Sequence, residues 1–147
     1  MKWRIAALSA LISVAPVFAA LMLHTETTIP KPLSDETTIL EGLVYNARFE
    51  AKVTSVRLAV KSEAGADPVV GDWVFTGSNS DGQAHLVAME VRLLDEKGSQ
   101  IGEFDAKHPL SAGARNERFV VPMKVKSAAW EATRRIWIWA NWMSYSG

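Results

Sequence analysis

From Val56 onward, apolar side chains recur at every second position, and this period of two rules out a helical bundle for most of the chain. Val56, Leu58 and Val60 alternate with Arg57, Ala59 and Lys61. Val87, Met89, Val91 and Leu93 alternate with Ala88, Glu90 and Arg92, and Phe119, Val121, Met123 and Val125 with Arg118, Val120, Pro122 and Lys124. Each run reads as a strand with one face on a core and the other in water. Trp73 and Phe75 share a face of "DWVFTG", while "EAGADP", "GSNSDGQ", "DEKGS" and "SAGARNE" supply turn chemistry between the runs. With Gln100–Phe104 and Arg134–Asn141, the pattern predicts a mainly β domain, an antiparallel β-sandwich of about seven strands. Pro122 cannot donate to a ladder, so it belongs on an edge strand or at a bulge.

The first segment, "MKWRIAALSALISVAPVFAALML", sets the location. After Lys2 and Arg4, nineteen residues from Ile5 to Leu23 carry no charge. As a helix they span about 28 Å, close to the ~30 Å hydrocarbon core of a bilayer. The flanking charges place the N-terminus in the cytoplasm and export the rest, with Lys2, Trp3 and Arg4 at the membrane interface. Two readings of residues 1–23 stand open: a transmembrane anchor, or a signal peptide broken by Pro16 and cleaved after Val17-Phe18-Ala19. The apolar "ALML" beyond that site favours the anchor. The expected location is the cytoplasmic (inner) membrane, single-pass, with a periplasmic C-terminal domain.

Residues 24–38, with Pro30, Pro32 and several threonines, read as a semi-rigid linker, and 39–147 as the exported sandwich. Residues 35–50 are compatible with helix or strand. Ser34 or Asp35 could cap a helix presenting Ile39, Leu40, Leu43, Val44 and Ala47, whereas the threonines and Gly42 suit a strand.

At 147 residues the chain is one domain's worth, and its net charge of zero argues against nucleic acid as a partner. It has no cysteine, which excludes disulfides, thiolate metal sites and cysteine nucleophiles. Charge is uneven: Ser62–Asp105 holds nine acids and two bases, and Arg115–Arg135 six bases and two acids. Opposite charges paired between neighbouring strands account for this most simply.

"FTGSNSDGQ", "VRLLDEKGSQIGEF" and "LSAGARNERFVV" together resemble the FxLYD-type domain, an immunoglobulin-like sandwich of exported and membrane-tethered bacterial proteins. Leu93, Leu94, Asp95 and Gly98 stand at its hairpin turn, and Gly113 and Phe119 match a later glycine ahead of a phenylalanine strand. Val91 replaces the family's phenylalanine and Leu94 its tyrosine. The resemblance covers about a third of the chain and implies an immunoglobulin-like fold and an exported location, without a common activity.

No catalytic constellation is visible. His24, His85 and His108 lack a second histidine at metal-ligand spacing. "SNSDGQ" has Asn79, Asp81 and Gly82 of a calcium loop but no closing glutamate, so it reads as a hairpin turn. Nucleophile elbows, Ser-x-x-Lys pairs and phosphate-cradling glycine loops are missing. No cofactor, metal site or enzymatic activity is expected.

The tryptophans carry the functional expectation. Trp73 belongs to the core and Trp130 plugs the connection before the last strand. In "RRIWIWANWMS", Ile136, Ile138 and Ala140 point one way and Trp137 and Trp139 the other. Trp137, Trp139 and Trp142, beside Arg134 and Arg135, have the composition of a docking surface. Residues 35–50 folding back over them would make them part of the core instead, and a one-residue register shift would exchange the two faces. The expected protein is a non-enzymatic accessory or assembly subunit, anchored in the lipid bilayer and docked to a larger membrane protein complex. The alternative is a secreted soluble sandwich that binds a small ligand or glycan.

Overall fold

The computed structural model describes residues 24–29, 36–46 and 51–144, with 24, 41–46, 51 and 142–144 described by their backbone alone. The described chain forms β1 (His24–Thr28), β2 (Glu36–Asn46), β3 (Ala51–Val60), β4 (Val69–Asn79), β5 (His85–Leu94), β6 (Gln100–Leu110), β7 (Glu117–Val125), α1 (Ser127–Ala132) and β8 (Arg135–Ser144). Two four-stranded sheets result, in the orders β1-β8-β5-β6 and β2-β3-β4-β7. Every pairing is antiparallel.

The core lies between the sheets. Leu58, Trp73, Phe75, Val121 and Met123 come from one sheet, and Val87, Met89, Leu93, Ile136 and Ile138 from the other. These are the residues that alternation assigned to the wet-face/core-face pattern, and burying a large apolar side chain contributes about 1.5–3 kcal/mol. The pairs β4–β7 and β5–β8 join strands distant in sequence, so the two sheets are interlocked by crossovers. Pro122 lies opposite Asp72 on β7, an edge strand, where its missing N–H faces away from the ladder.

The strand count is eight among the described residues, one more than alternation suggests. The addition is β1, inside the segment expected to be a linker. In "HTETT" the β-branched Thr25 and Thr27 are half-buried opposite Ile138 and Ile136, and Glu26 is exposed opposite Trp137. A short strand of alternating threonine thus completes one side of β8. Residues 36–46 are strand rather than helix. Register shifts at Thr38/Leu40 and Glu41/Tyr45 interrupt the period of two, which is why no clean alternation shows there. The N-terminal anchor or signal helix, with Lys2, Trp3 and Arg4, lies outside the described residues. Among the described residues no helix is long and apolar enough to cross a membrane.

Turns use the predicted chemistry. Asp95 Oδ1 accepts from the amides of Lys97 and Ser99, both at 2.9 Å, and Gly98 has φ 81° in the β5–β6 hairpin. At the same end of that sheet α1 closes the sandwich with buried Trp130. Thr133 Oγ1 donates to the Ala129 carbonyl at 2.9 Å, and the Arg134 amide to the Leu94 carbonyl at 2.9 Å.

Trp73 is fully buried, yet its Nε1–H has no acceptor among the described residues. A buried donor left unpaired costs about 1–3 kcal/mol. Trp73→Phe therefore changes stability by less than about 1.5 kcal/mol, because the lost ring area is offset by removal of the orphan donor. Trp73→Ala loses about 3–5 kcal/mol in the same denaturation experiment.

Candidate docking face

β8 is an interior strand, flanked by β1 and β5. Ile136, Ile138 and Ala140 are buried beneath it, while Trp137 and Trp139 are half-buried on the outer face of the sheet. The register places Glu26 and Arg92 on either side of Trp137. Trp139 lies between His24 and Glu90. Glu103 and Asp105 of β6 extend the same two rows, opposite Arg92 and Glu90.

Charged groups on this face are organised around the indoles. The Arg92 guanidinium carbon lies 4.2 Å from the Trp137 ring centroid, a cation–π contact. Arg92 Nε donates to Glu90 Oε1 at 2.5 Å and lies 3.9 Å from Glu103 Oε1. Arg135 pairs with Glu26 at 3.1 Å across the β1–β8 ladder. The result is an aromatic–arginine surface rimmed by carboxylates, the composition of an interface centre rather than of a water-facing sheet.

Glu90 is the most deeply set of these acids, with 17% of its side chain exposed. Desolvation pushes its carboxyl above the usual range, and the hydrogen bond with Glu103 adds to this against the pull of Arg92. The same bond holds Glu103 below its ordinary value. A carboxyl raised on folding destabilises the native state once ionised, and that cost disappears as pH falls through the raised value. Glu90→Gln keeps the bond to Glu103 and removes the desolvated charge. It should stabilise the protein by about 0.5–1 kcal/mol at pH 7. The gain should shrink to nothing below the ordinary glutamate range, as read from urea midpoints measured across the acid limb and at neutral pH.

The structure separates residues that the sequence groups together. Arg135, Trp137 and Trp139 share the outer face. Arg134 does not: it immediately precedes β8, and its Nη1 donates to the carbonyls of Glu131 and Thr133 at 2.6 and 3.1 Å. There it lines an open cleft of ≈ 610 Å³ with Thr28, Ile29, Asp95 and Glu96. Trp142 pairs with Val87 in the register of Ile138 and Ala140, an odd step from Trp139. Residues 36–46 do not cover the tryptophans, because β2 belongs to the opposite sheet. Sequence reading missed Arg92, Glu90 and Glu26, whose places on the face depend on the ladder partners of β8.

A second polar cluster is structural. Asn79 is fully buried, and its Nδ2 donates to the carbonyls of Gln83, Leu110 and Ser111 at 2.8, 3.3 and 3.2 Å. Its Oδ1 accepts from the Asp81 amide at 3.0 Å, so one side chain ties the β4–β5 loop to the β6–β7 loop. Asp81 accepts from the Gly82 amide and contacts His85 Nε2 at 2.8 Å. The His85 bond holds the Asp81 carboxyl below its ordinary value. "SNSDGQ" is therefore a self-satisfied turn. Among the described residues no three His, Asp or Glu side chains gather to hold a metal ion. His108 stacks on Phe119 at 4.8 Å and meets Glu117 at 2.6 Å, joining the edges of the two sheets. No protein-family model matches the chain, and no curated protein matches it either.

Proposed function

We propose that this protein is a non-enzymatic accessory or assembly subunit of a membrane protein complex. Residues 1–23 anchor it in the cytoplasmic membrane, and its exported domain, an immunoglobulin-like sandwich of the FxLYD type, docks through the outer face of β8. One observation carries this reading: Trp137 and Trp139 stand on the outer face of an interior strand whose core side is already filled by Ile136, Ile138 and Ala140. Large aromatics beside Arg92 and Arg135 are the residues that dominate binding energy in protein interfaces. A sugar-binding platform is less well served, because the Arg92 guanidinium stacks on the Trp137 ring that a sugar would need.

The anchored state is tested by the intact mass of the chain extracted from membranes. A full-length mass in the membrane fraction supports the reading. A chain beginning at Ala20 in the soluble exported fraction contradicts it and turns attention to the secreted, ligand-binding alternative.

A further inference from the structure

We propose that one end of the sandwich, formed by the β4–β5 and β6–β7 loops with Lys52, Lys107 and Arg115, is a surface that faces anionic lipid headgroups. The inference rests on the reading of residues 5–23 as a membrane anchor and adds an orientation to it. β1 begins at His24, opposite Trp139, and runs antiparallel to β8. β1 therefore has its first residue toward the end of β8 that holds Ser144. His85 lies opposite both Ser144 and Leu110, so β5 starts and β6 finishes at that same end. Asn79 binds the Leu110 and Ser111 carbonyls, and its amide donates to Ala114 at 2.8 Å, which brings the end of β4 and the start of β7 there too.

No spacer separates the apolar segment from the sheet, since Leu23 directly precedes the first residue of β1. A domain tied so closely to a transmembrane helix meets the headgroup layer with whatever lies at this end. The charges there suit an anionic surface. Lys52, Lys107 and Arg115 are exposed and none has an ion-pair partner among the described residues, whereas Arg118 is held by Glu36 at 3.0 Å. The two acids within four residues of these loops, Asp81 and Glu117, are each bound to a histidine, His85 and His108. At the opposite end, the segments 61–68, 95–99 and 126–134 carry Glu63, Asp67, Asp95, Glu96 and Glu131 against Lys61, Lys97, Lys126 and Arg134, and Lys61 is bound to Asp72. Basic side chains near an anionic leaflet attract it, and acids are repelled within a Debye length of about 10 Å.

The chain has no cysteine, so single labels report single sites. Gln83→Cys and Ala112→Cys place a fluorophore at the basic end, and Glu63→Cys and Ser99→Cys at the other, all at exposed positions. The ends are about 33 Å apart along a ten-residue strand, so a contact quencher on lipid headgroups distinguishes them. The full-length chain is reconstituted in nanodiscs of phosphatidylglycerol and phosphatidylcholine, its mass confirming that the anchor is retained. The expected result is strong quenching at 83 and 112 and none at 63 and 99. Reversing Lys52, Lys107 and Arg115 to glutamate should remove most of the difference, as should nanodiscs of phosphatidylcholine alone. A retained anchor with equal quenching at both ends, or quenching confined to 63 and 99, overturns the orientation. Equal quenching that persists after charge reversal overturns the lipid contact as well. A trimmed, lipid-free chain is recognised by its mass and overturns the anchor reading on which the inference depends.

Discussion

Asn79→Asp should destabilise the sandwich by about 3–5 kcal/mol, among the largest losses for an isosteric change anywhere in the protein. The amide of Asn79 donates to three carbonyls in a fully buried site, and a carboxylate in its place would turn donors into a charge facing three acceptors. Protonation relieves the charge and restores one O–H donor in place of two N–H donors, so the deficit narrows at low pH but does not vanish. Asn79→Ala removes the charge problem but takes away the acceptor of the Asp81 amide and the side-chain donor to the Gln83 and Leu110 carbonyls, while Ser111 keeps the Ala114 amide, at about 2–3 kcal/mol. Urea unfolding of the full chain in mild detergent, followed by tryptophan fluorescence, measures both. Equal stability of wild type and Asn79→Asp would mean that the two loops are not tied together at this residue.

The two faces of β8 should respond in opposite ways. Ile138→Ala opens a cavity beside Val91 in the shared core and costs about 2–4 kcal/mol of stability. Trp137→Ala removes a half-buried ring and its contact with Arg92, at about 1 kcal/mol. In binding the order reverses. A central aromatic at an interface carries 2 kcal/mol or more, so Trp137→Ala should weaken docking by about thirtyfold or more, while Ile138→Ala leaves the folded fraction able to dock. Stability comes from the urea midpoint, and docking from the fraction of chain in the complex after mild-detergent extraction. A Trp137→Ala variant that unfolds as readily as Ile138→Ala would place that ring in the core.

The sandwich was legible wherever alternation runs unbroken. Val87–Leu93, Phe119–Val125 and Ile136–Ala140 declare their buried faces directly, because a strand has only two sides. It failed where the register slips. In β2 the shifts around Thr38 and Glu41 scramble the period, and a helical face could be drawn through the same residues. β1 was hidden for a different reason: five residues of threonine, glutamate and histidine next to two prolines have the composition of a spacer, and only the open side of β8 makes them a strand. The candidate face was half legible. Trp137 and Trp139 follow from their own strand. Arg92, Glu90 and Glu26 follow from which strands flank it, a long-range fact that local pattern does not carry. Arg134 was misgrouped because two adjacent arginines look alike in sequence, whereas the Arg134 side chain returns to the carbonyls of Glu131 and Thr133 and Arg135 pairs with Glu26 across the ladder.

The central claim is that the outer face of β8 docks this domain onto a membrane complex. The most direct test compares wild type, the double variant Trp137→Ala/Trp139→Ala and the control Val120→Ser, an exposed apolar position on β7 in the other sheet. Each is extracted in mild detergent and sized by native mass measurement, with urea midpoints confirming that all three are folded. Wild type and the Val120→Ser control are expected in one large complex of defined composition, and the double variant as free, folded chain. A folded double variant that remains in the same complex as wild type would contradict the claim.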